Sequence, residues 1–306
     1  KSRNNSGLFL FKKNSVMSLK IAIQGIESSF HDMAVKKMFP NDEIKLVMCN
    51  SFEKVTASIN NLNADFGVLA IENTIAGSIL PNYNLIDTSN LIIIDEVFLN
   101  IQMYIMALET DTIHDIIEIH SHPVALLQCK NYLQKFPPYF KIIEGTDTAS
   151  VAKKIKEENL KGVAAIAGKQ VAKKFGLKIL ESKIQNNSQN QTRFVLVGKN
   201  NKNYSKEVNK ATLKFKLDHR VGSLSNVLQL FSTFEINLTK IQSLPIIGKP
   251  WQYAFFVDVF FKDYTLFNEV IKVLEKAVEE LKIIGVYKQN FDNEPSQLLK
   301  TLINEK

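Results

Sequence analysis

Short apolar runs and amphipathic stretches take turns along the first two thirds of the chain, and this alternation constrains the fold more than any other feature. Residues 20–24 (KIAIQ), 44–49, 66–71, 117–120, 141–144 and 163–167 are short runs dominated by aliphatic side chains. Helical patterns follow most of them. Residues 30–39 place Phe30, Met33, Ala34 and Met38 near the 3.6-residue period, and 52–62 form a second amphipathic segment. Residues 123–136 open with a proline at the first helical position, 148–159 follow Asp147 as N-cap, and 169–175 end at Gly176. Runs at 91–99, 101–108, 177–180 and 193–197 are further strands, and a loop with Gly77 and Pro81 separates 71 from 91. Alternation of this kind predicts mainly parallel sheets covered by helices. Two such blocks predict two lobes with a cleft between them.

The composition changes at 199–210 (KNNKNYSKEVNK), a polar stretch that reads as a linker. Beyond it the pattern is strand 211–217, helix 224–234, strands 237–243 and 253–261, helix 266–281 and strand 282–287. That order is βαββαβ, a small split βαβ unit. Residues 290–306 read as a polar tail, and 1–19 as a leader or a remnant, with Met17 a possible natural start.

The formal net charge of +7 raises the possibility of a polyanion partner, and its make-up argues against one. Of 38 basic residues only Arg3, Arg193 and Arg220 are arginine; the rest are lysines spread along helix faces. Nucleic-acid surfaces favour arginine forks and clustered basic stripes, so no nucleic-acid partner is expected. No apolar run reaches the ~18–20 residues of a membrane span, and 1–18 lacks a signal-peptide pattern, so a cytoplasmic, membrane-free protein is expected. Cys49 and Cys129 stand far apart without metal or redox spacing and read as buried thiols. The five histidines include one close pair, His120 and His122, without a third ligand beside them; neither metal nor cofactor is expected. Nucleotide, hydride and serine-hydrolase motifs are missing from the sequence.

Polar clusters occur where predicted strands end and helices begin: 25–30 (GIESSF), Ser121-His122-Pro123 and Asp147-Thr148-Ala149, with Glu72-Asn73-Thr74 at another strand end. Each is explained alone by N-capping; together they outline an anion-binding cleft at the carboxyl ends of strands. Arg193, in Asn190-Gln191-Thr192-Arg193-Phe194, suits a bidentate carboxylate clamp or a structural salt bridge.

These residues resemble the prephenate dehydratase family, over about residues 20–287. The marks run in the family's order: 25–30, Ile71-Glu72-Asn73-Thr74 with Gly77, Ser121-His122-Pro123 with Gln128-Cys129, Asp147-Thr148-Ala149, 164–167 with Gly176-Leu177, and Asn190 to Phe194. Gly222-Ser223-Leu224 and 236–241 resemble an ACT regulatory domain. The resemblance implies a two-lobed, periplasmic-binding-protein-like catalytic domain over 20–198, with lobes at about 20–98 plus 188–198 and 99–187. A ferredoxin-like ACT domain over 211–289 would follow. It implies conversion of prephenate to phenylpyruvate with loss of water and CO2, a carbon–oxygen lyase reaction without a cofactor. Thr192 would be tied to departure of hydroxide, Arg193 would clamp a carboxylate, and Phe194 would orient the strand end. Ser29, Glu72, Asn73, Thr74, Ser121, Gln128 and Thr148 would line the substrate site.

L-phenylalanine would bind as effector near Gly222, Ser223 and Leu224 and near Gln242, Ser243, Leu244 and Pro245, across the interface of a homodimer or homotetramer. Two departures from the family pattern stand out. The effector signature, glutamate-serine-arginine-proline in the family, reads Gln242-Ser243-Leu244-Pro245 here, and Ser28 stands where many members have glycine. No long helical stretch precedes residue 20, so no fused chorismate mutase is expected. Arogenate as substrate, or a non-catalytic binding protein on the same scaffold, are the alternatives.

Overall fold

A computed structural model describes residues 18–199, 208–218, 220–246, 248 and 252–289. The leader, most of the linker, His219 and the polar tail lie outside these residues. The described elements run β1 (Leu19–Gln24), α1 (Phe30–Met38), β2 (Ile44–Cys49), α2 (Phe52–Asn60), β3 (Phe66–Asn73), β4 (Gly77–Ser78), α3 (Leu80–Thr88), β5 (Ile92–Asn100) and β6 (Tyr104–Ala107). They continue with β7 (Glu118–Ser121), α4 (Pro123–Gln128), α5 (Lys130–Leu133), β8 (Lys141–Glu144), α6 (Thr148–Glu157), β9 (Val163–Ala167), α7 (Lys169–Phe175), β10 (Lys178–Ser182) and β11 (Gln191–Gly198). The last six are β12 (Lys210–Lys216), α8 (Ser223–Thr233), β13 (Asn237–Pro245), β14 (Tyr253–Phe260), α9 (Tyr264–Ala277) and β15 (Glu280–Tyr287).

Two lobes form, as the alternation requires. One is built on β2-β1-β3-β11-β5, the other on β10-β6-β9-β7-β8. The chain crosses between them twice, from β5 to β6 through residues 101–103 and back from β10 to β11 through 183–190. Backbone bonds tie the crossings together, Ile101 N–H to Asn190 O at 2.6 Å and Ile184 N–H to Met103 O at 3.0 Å. The sheets are mixed rather than mainly parallel. β1 pairs in parallel with β2 and β3, and β7 with β8 and β9. The returning strands, β11 on one side and β6 and β10 on the other, are antiparallel to their neighbours. A chain that crosses and returns must insert strands against the direction set by the βαβ units.

Two further expectations change. Residues 80–88 are a helix, not loop: Pro81 sits in the first turn, where its missing N–H costs nothing. The segment 123–136 is not one helix but α4 and α5, interrupted at Cys129. Ser28 adopts φ 69°, the left-handed region that favours glycine, and its N–H bonds the Asp32 carboxylate at 2.6 Å.

Residues 208–289 have the βαββαβ order and the sheet order β13-β14-β12-β15, with α8 and α9 covering one face over a core that includes Phe215, Phe231, Val257 and Leu274. This sheet does not stand alone. β15 pairs in parallel with β5 at Gly285 and Ile93, which joins it to the first lobe's sheet. A Cβ at Gly285 would lie 2.3 Å from Ile93 O, so the junction demands glycine. The uncovered face of the sheet rests on the first lobe: Phe256, Ile284 and Tyr287 share a core with Tyr83, Ile86 and Ile93. Lys282 and Lys214 close the seam on the Asp87 carboxylate at the end of α3, Lys282 at 2.7 Å.

Candidate active site

The strand ends and helix starts that the sequence pattern marks converge between the two lobes around a cavity of about 190 Å³. Ser29 caps α1 by accepting from Asp32 N–H, Asp147 caps α6 by accepting from Ala149 and Ser150 N–H, and His122 Nδ1 accepts from Val124 N–H at the start of α4. Phe30, Phe52, Ile101, Met103 and Phe194 make much of the wall apolar. The lobes meet closely: a Cβ on Gly25 would be 3.4 Å from the Asp147 carboxylate, and Lys174 pairs with Glu27 across the two lobes.

A ring of three buried carboxamides forms the polar floor. Asn73 ends β3, Gln128 ends α4, and Asn190 stands one residue before β11. Asn73 Oδ1 accepts from the backbone N–H of Ile75 at 2.9 Å and of Ala76 at 2.8 Å, which only an oxygen can do. Its Nδ2 is therefore the donor, its two hydrogens shared among Asn190 Oδ1 at 2.7 Å, Thr192 Oγ1 at 2.9 Å and Gln191 O at 3.1 Å. Gln128 closes the ring, giving Nε2–H to Asn73 Oδ1 at 3.1 Å and accepting from Asn190 Nδ2 at 2.9 Å. Because Thr192 Oγ1 accepts from Asn73, its own proton is left for an acceptor in the cavity. The ring thus fixes both the rotamer and the polarity of one hydroxyl on the cavity wall.

Phe194 lies beside it, buried, edge-on to the His31 ring at a centroid distance of 5.1 Å. Burial, with a smaller push from His122, holds the His31 imidazole down at about 3, and its Nε2 has no partner. Burial also lowers His122, against Asp147 and Glu144. Among the described residues the cavity wall has no lysine or arginine.

Of the expected site residues, Ser29, Asn73, Gln128, Thr148, Thr192 and Phe194 are on this wall. Four are elsewhere. Ser121 is fully buried and gives its hydroxyl to Ile166 O at 2.7 Å, while its neighbour His122 reaches the cavity. Thr74 bonds Gln189 O at 2.9 Å on the surface. Glu72 and Arg193 fall on the opposite side of their strands, because successive residues of a strand face opposite ways. Arg193 does clamp carboxylates, but they belong to the protein: Glu96 and Asp258. His31, His122 and Asp147 also line the wall, and Asn190 stands behind it in the carboxamide ring; none of the four is among the expected site residues. For three of them the signal was present, since His122 and Asp147 each flank an expected residue by one position and Asn190 stands two before Thr192.

In the C-terminal unit, Gly222 (φ 87°) caps α8, and Ser223 and Leu224 line a second hollow with Leu217, Asp218, Arg220, Tyr253, Phe255 and Glu279. Gln242, Ser243, Leu244 and Pro245 are on β13 and do not line that hollow; Leu244 packs towards Tyr83 and Phe256 instead. Elsewhere, His120 Nε2 lies 3.1 Å from Glu118, and no group of three potential metal ligands occurs among the described residues. No helix of the described residues is long and apolar enough to cross a membrane.

A two-lobed α/β chain with a partly apolar cleft, a hydrogen-bonded hydroxyl on its wall and a βαββαβ appendage is built to process a small organic molecule. The family model for prephenate dehydratase matches residues 21–202. The prephenate dehydratase of Methanocaldococcus jannaschii is 31% identical over 266 residues, 85% of this chain and 95% of its own length. Arogenate dehydratase/prephenate dehydratase 2 of Arabidopsis thaliana is 32% identical over 288 residues, covering 88% of this chain and 72% of that protein. A solved prephenate dehydratase from Arthrobacter aurescens, in complex with L-Phe, shares the fold with a TM-score of 0.80 at 24% identity, over 91% of this chain and 92% of that one. The chain belongs to the prephenate dehydratase family, and is an enzyme of the decarboxylating carbon–oxygen lyase class.

Proposed function

We propose that the cavity takes prephenate and that Thr192 is the donor to its departing oxygen. The observation that carries this is the carboxamide ring, which holds Thr192 Oγ1 as an acceptor toward Asn73 and so frees its proton for the cavity. Loss of the ring hydroxyl and CO2 together aromatises the substrate, so the demand on the protein is to steady charge on the leaving oxygen. A threonine hydroxyl is too weak an acid to transfer its proton early; it serves as a placed hydrogen-bond donor. Phe194, Phe30 and Phe52 would keep water from the diene. The Ser29 and Thr148 hydroxyls, at the positive starts of α1 and α6, would meet the carboxylates in a cavity whose wall, among the described residues, has no lysine or arginine.

Residues 208–289 would be an ACT-type regulatory unit, with L-phenylalanine as effector in a homodimer or homotetramer. Support comes from the βαββαβ order and from the hollow at Ser223 and Leu224, where Arg220, paired with Asp218, suits a carboxylate and Glu279 suits an ammonium group. Incubation with prephenate, followed by the alkaline absorbance of phenylpyruvate, tests the reaction. Product is expected; its absence sinks the reading. Arogenate is the second substrate to try, because a relative's name couples both activities. Comparing the two rates decides between them.

A further inference from the structure

Arg193 sits between two cavity residues, Thr192 and Phe194, yet works on the other side of the sheet. Its side chain is 4% exposed, and its three nitrogens go to three strands. Nε–H donates to Glu96 Oε2 on β5 at 2.7 Å, Nη1 to the Asp258 carboxylate on β14, and Nη2 to the Tyr287 hydroxyl on β15 at 2.7 Å. The Thr212 hydroxyl on β12 gives its proton to Asp258 Oδ1 at 2.6 Å and lies 2.7 Å from the Tyr287 hydroxyl. Lys210 Nζ spans both oxygens of Glu96 at 3.0 and 2.9 Å, and Lys240 Nζ stands 3.1 Å from Glu72 over the Tyr83 ring. Three cations, Arg193, Lys210 and Lys240, thus face three carboxylates, Glu72, Glu96 and Asp258. Burial opposes charge on Arg193, but Asp258, Tyr287 and Glu96 outweigh it and hold the guanidinium well above its usual range. Asp258 is held below the usual carboxylate range by Arg193 and Lys210, against burial.

A second feature singles out this point of β11. Arg193 pairs with Glu72 of β3, but Phe194 pairs with Ala70, so Ile71 is an extra residue opposite the Arg193–Phe194 step. Such a bulge loosens the ladder and lets a strand re-aim its side chains. The register to β3 thus shifts one residue from the reacting hydroxyl, while β5 pairs with Thr192, Arg193 and Phe194 without a break; Asp258 and Tyr287, 65 and 94 residues further along the chain, add a side-chain restraint at this point.

We propose that Arg193 is a positioning residue: through Asp258 and Tyr287 the C-terminal unit sets where β11 presents Thr192 to the substrate. This rests on the reading of Thr192 as the donor. Consecutive Cα atoms are locked about 3.8 Å apart, so a displaced guanidinium anchor moves the Thr192 backbone with it, and placement errors well under ~1 Å reduce rate. The contribution is to the transition state rather than to substrate binding.

The test uses the full chain and substitutions that do not line the cavity. Tyr287→Phe and Thr212→Val each remove one hydroxyl while keeping shape, and Asp258→Asn removes one charge. Steady-state rates on prephenate are read with thermal melting. Expected are a fall of about tenfold in kcat with KM within about twofold for Tyr287→Phe, a larger fall for Asp258→Asn, and no change for the control Tyr264→Phe. Should Asp258→Asn fail to fold, the two hydroxyl variants still decide. Folded variants with wild-type kcat, or with a raised KM alone, overturn the proposal. A wild-type chain without turnover overturns the reading of Thr192 and this inference with it.

Discussion

Replacing Thr192 by valine separates the chemistry of the site from its architecture. Valine keeps the branched shape, so the apolar contacts beside Phe194 survive, and only the hydroxyl is lost. Asn73 Nδ2 retains Asn190 Oδ1 at 2.7 Å and Gln191 O at 3.1 Å, so no buried donor is orphaned. One net hydrogen bond is worth about 0.5–1.5 kcal/mol, and the stability loss should stay in that range. The catalytic loss should be far larger. Removing a single preorganised donor from a developing oxyanion costs about 10²–10³ in rate, or about 2.7–4 kcal/mol. The assay is kcat and KM from phenylpyruvate formation at neutral pH, alongside urea unfolding of both proteins. Thr192→Ser, which restores the hydroxyl without the methyl, should recover most of the rate. A Thr192→Val enzyme within about fivefold of wild type in kcat would refute the assignment, because the interaction would then not be specific to the transition state.

Other consequences are equally open to measurement. Gly285→Ala forces a Cβ to 2.3 Å from Ile93 O, backbone that cannot swing aside, and should lower stability by roughly 1–3 kcal/mol in urea titration; an unchanged midpoint would contradict the close packing of β15 on β5. His31 has a depressed folded pKa, about 3 against roughly 6.5 unfolded, so the unfolded chain binds the extra proton between these values. Stability is therefore full above pH ~6.5 and declines as pH falls toward ~3, by at most about 1.4 kcal/mol per unit, and His31→Gln should flatten that slope. Burial pushes the Cys129 thiol up to about 12, so a thiol-specific reagent at pH 8 should leave it unmodified in the folded enzyme and label it after denaturation. Rapid labelling of the native protein at Cys129 would show that α4 and α5 open readily at their junction.

The elements that sequence periodicity reveals best are those whose hydrophobic face is simple. α6, with Ala149, Ala152 and Ile155 buried on one stripe after an aspartate cap, was legible from its cap to within two residues of its end. α3 was not, because its buried set includes Asn82 and Asp87, which serve polar partners and blur the stripe. Asn82, for instance, donates to Ala70 O at 2.7 Å. The candidate site was legible as a set of strand ends, but not as a set of faces. Glu72 with Asn73, Ser121 with His122 and Arg193 with Thr192 are neighbours of which one reaches the cavity, and only the orientation of the strand decides which. Lys210 shows a different limit. Its polar company in the linker stretch hid that it opens β12, where it is 4% exposed and bound to Glu96.

The single glycine-mediated pairing of β15 with β5 has a consequence for anyone who would divide this chain at its linker. Cutting away residues 208–289 would uncover β5 as a lateral edge, with Ile93 losing Gly285 while keeping Val197 of β11, and Glu96 stripped of Lys210. An exposed apolar edge is a template for strand addition from other molecules. The isolated catalytic portion should therefore associate edge to edge and precipitate. What the sequence offers as a detachable appendage also acts as the blocking strand that keeps the larger sheet from growing.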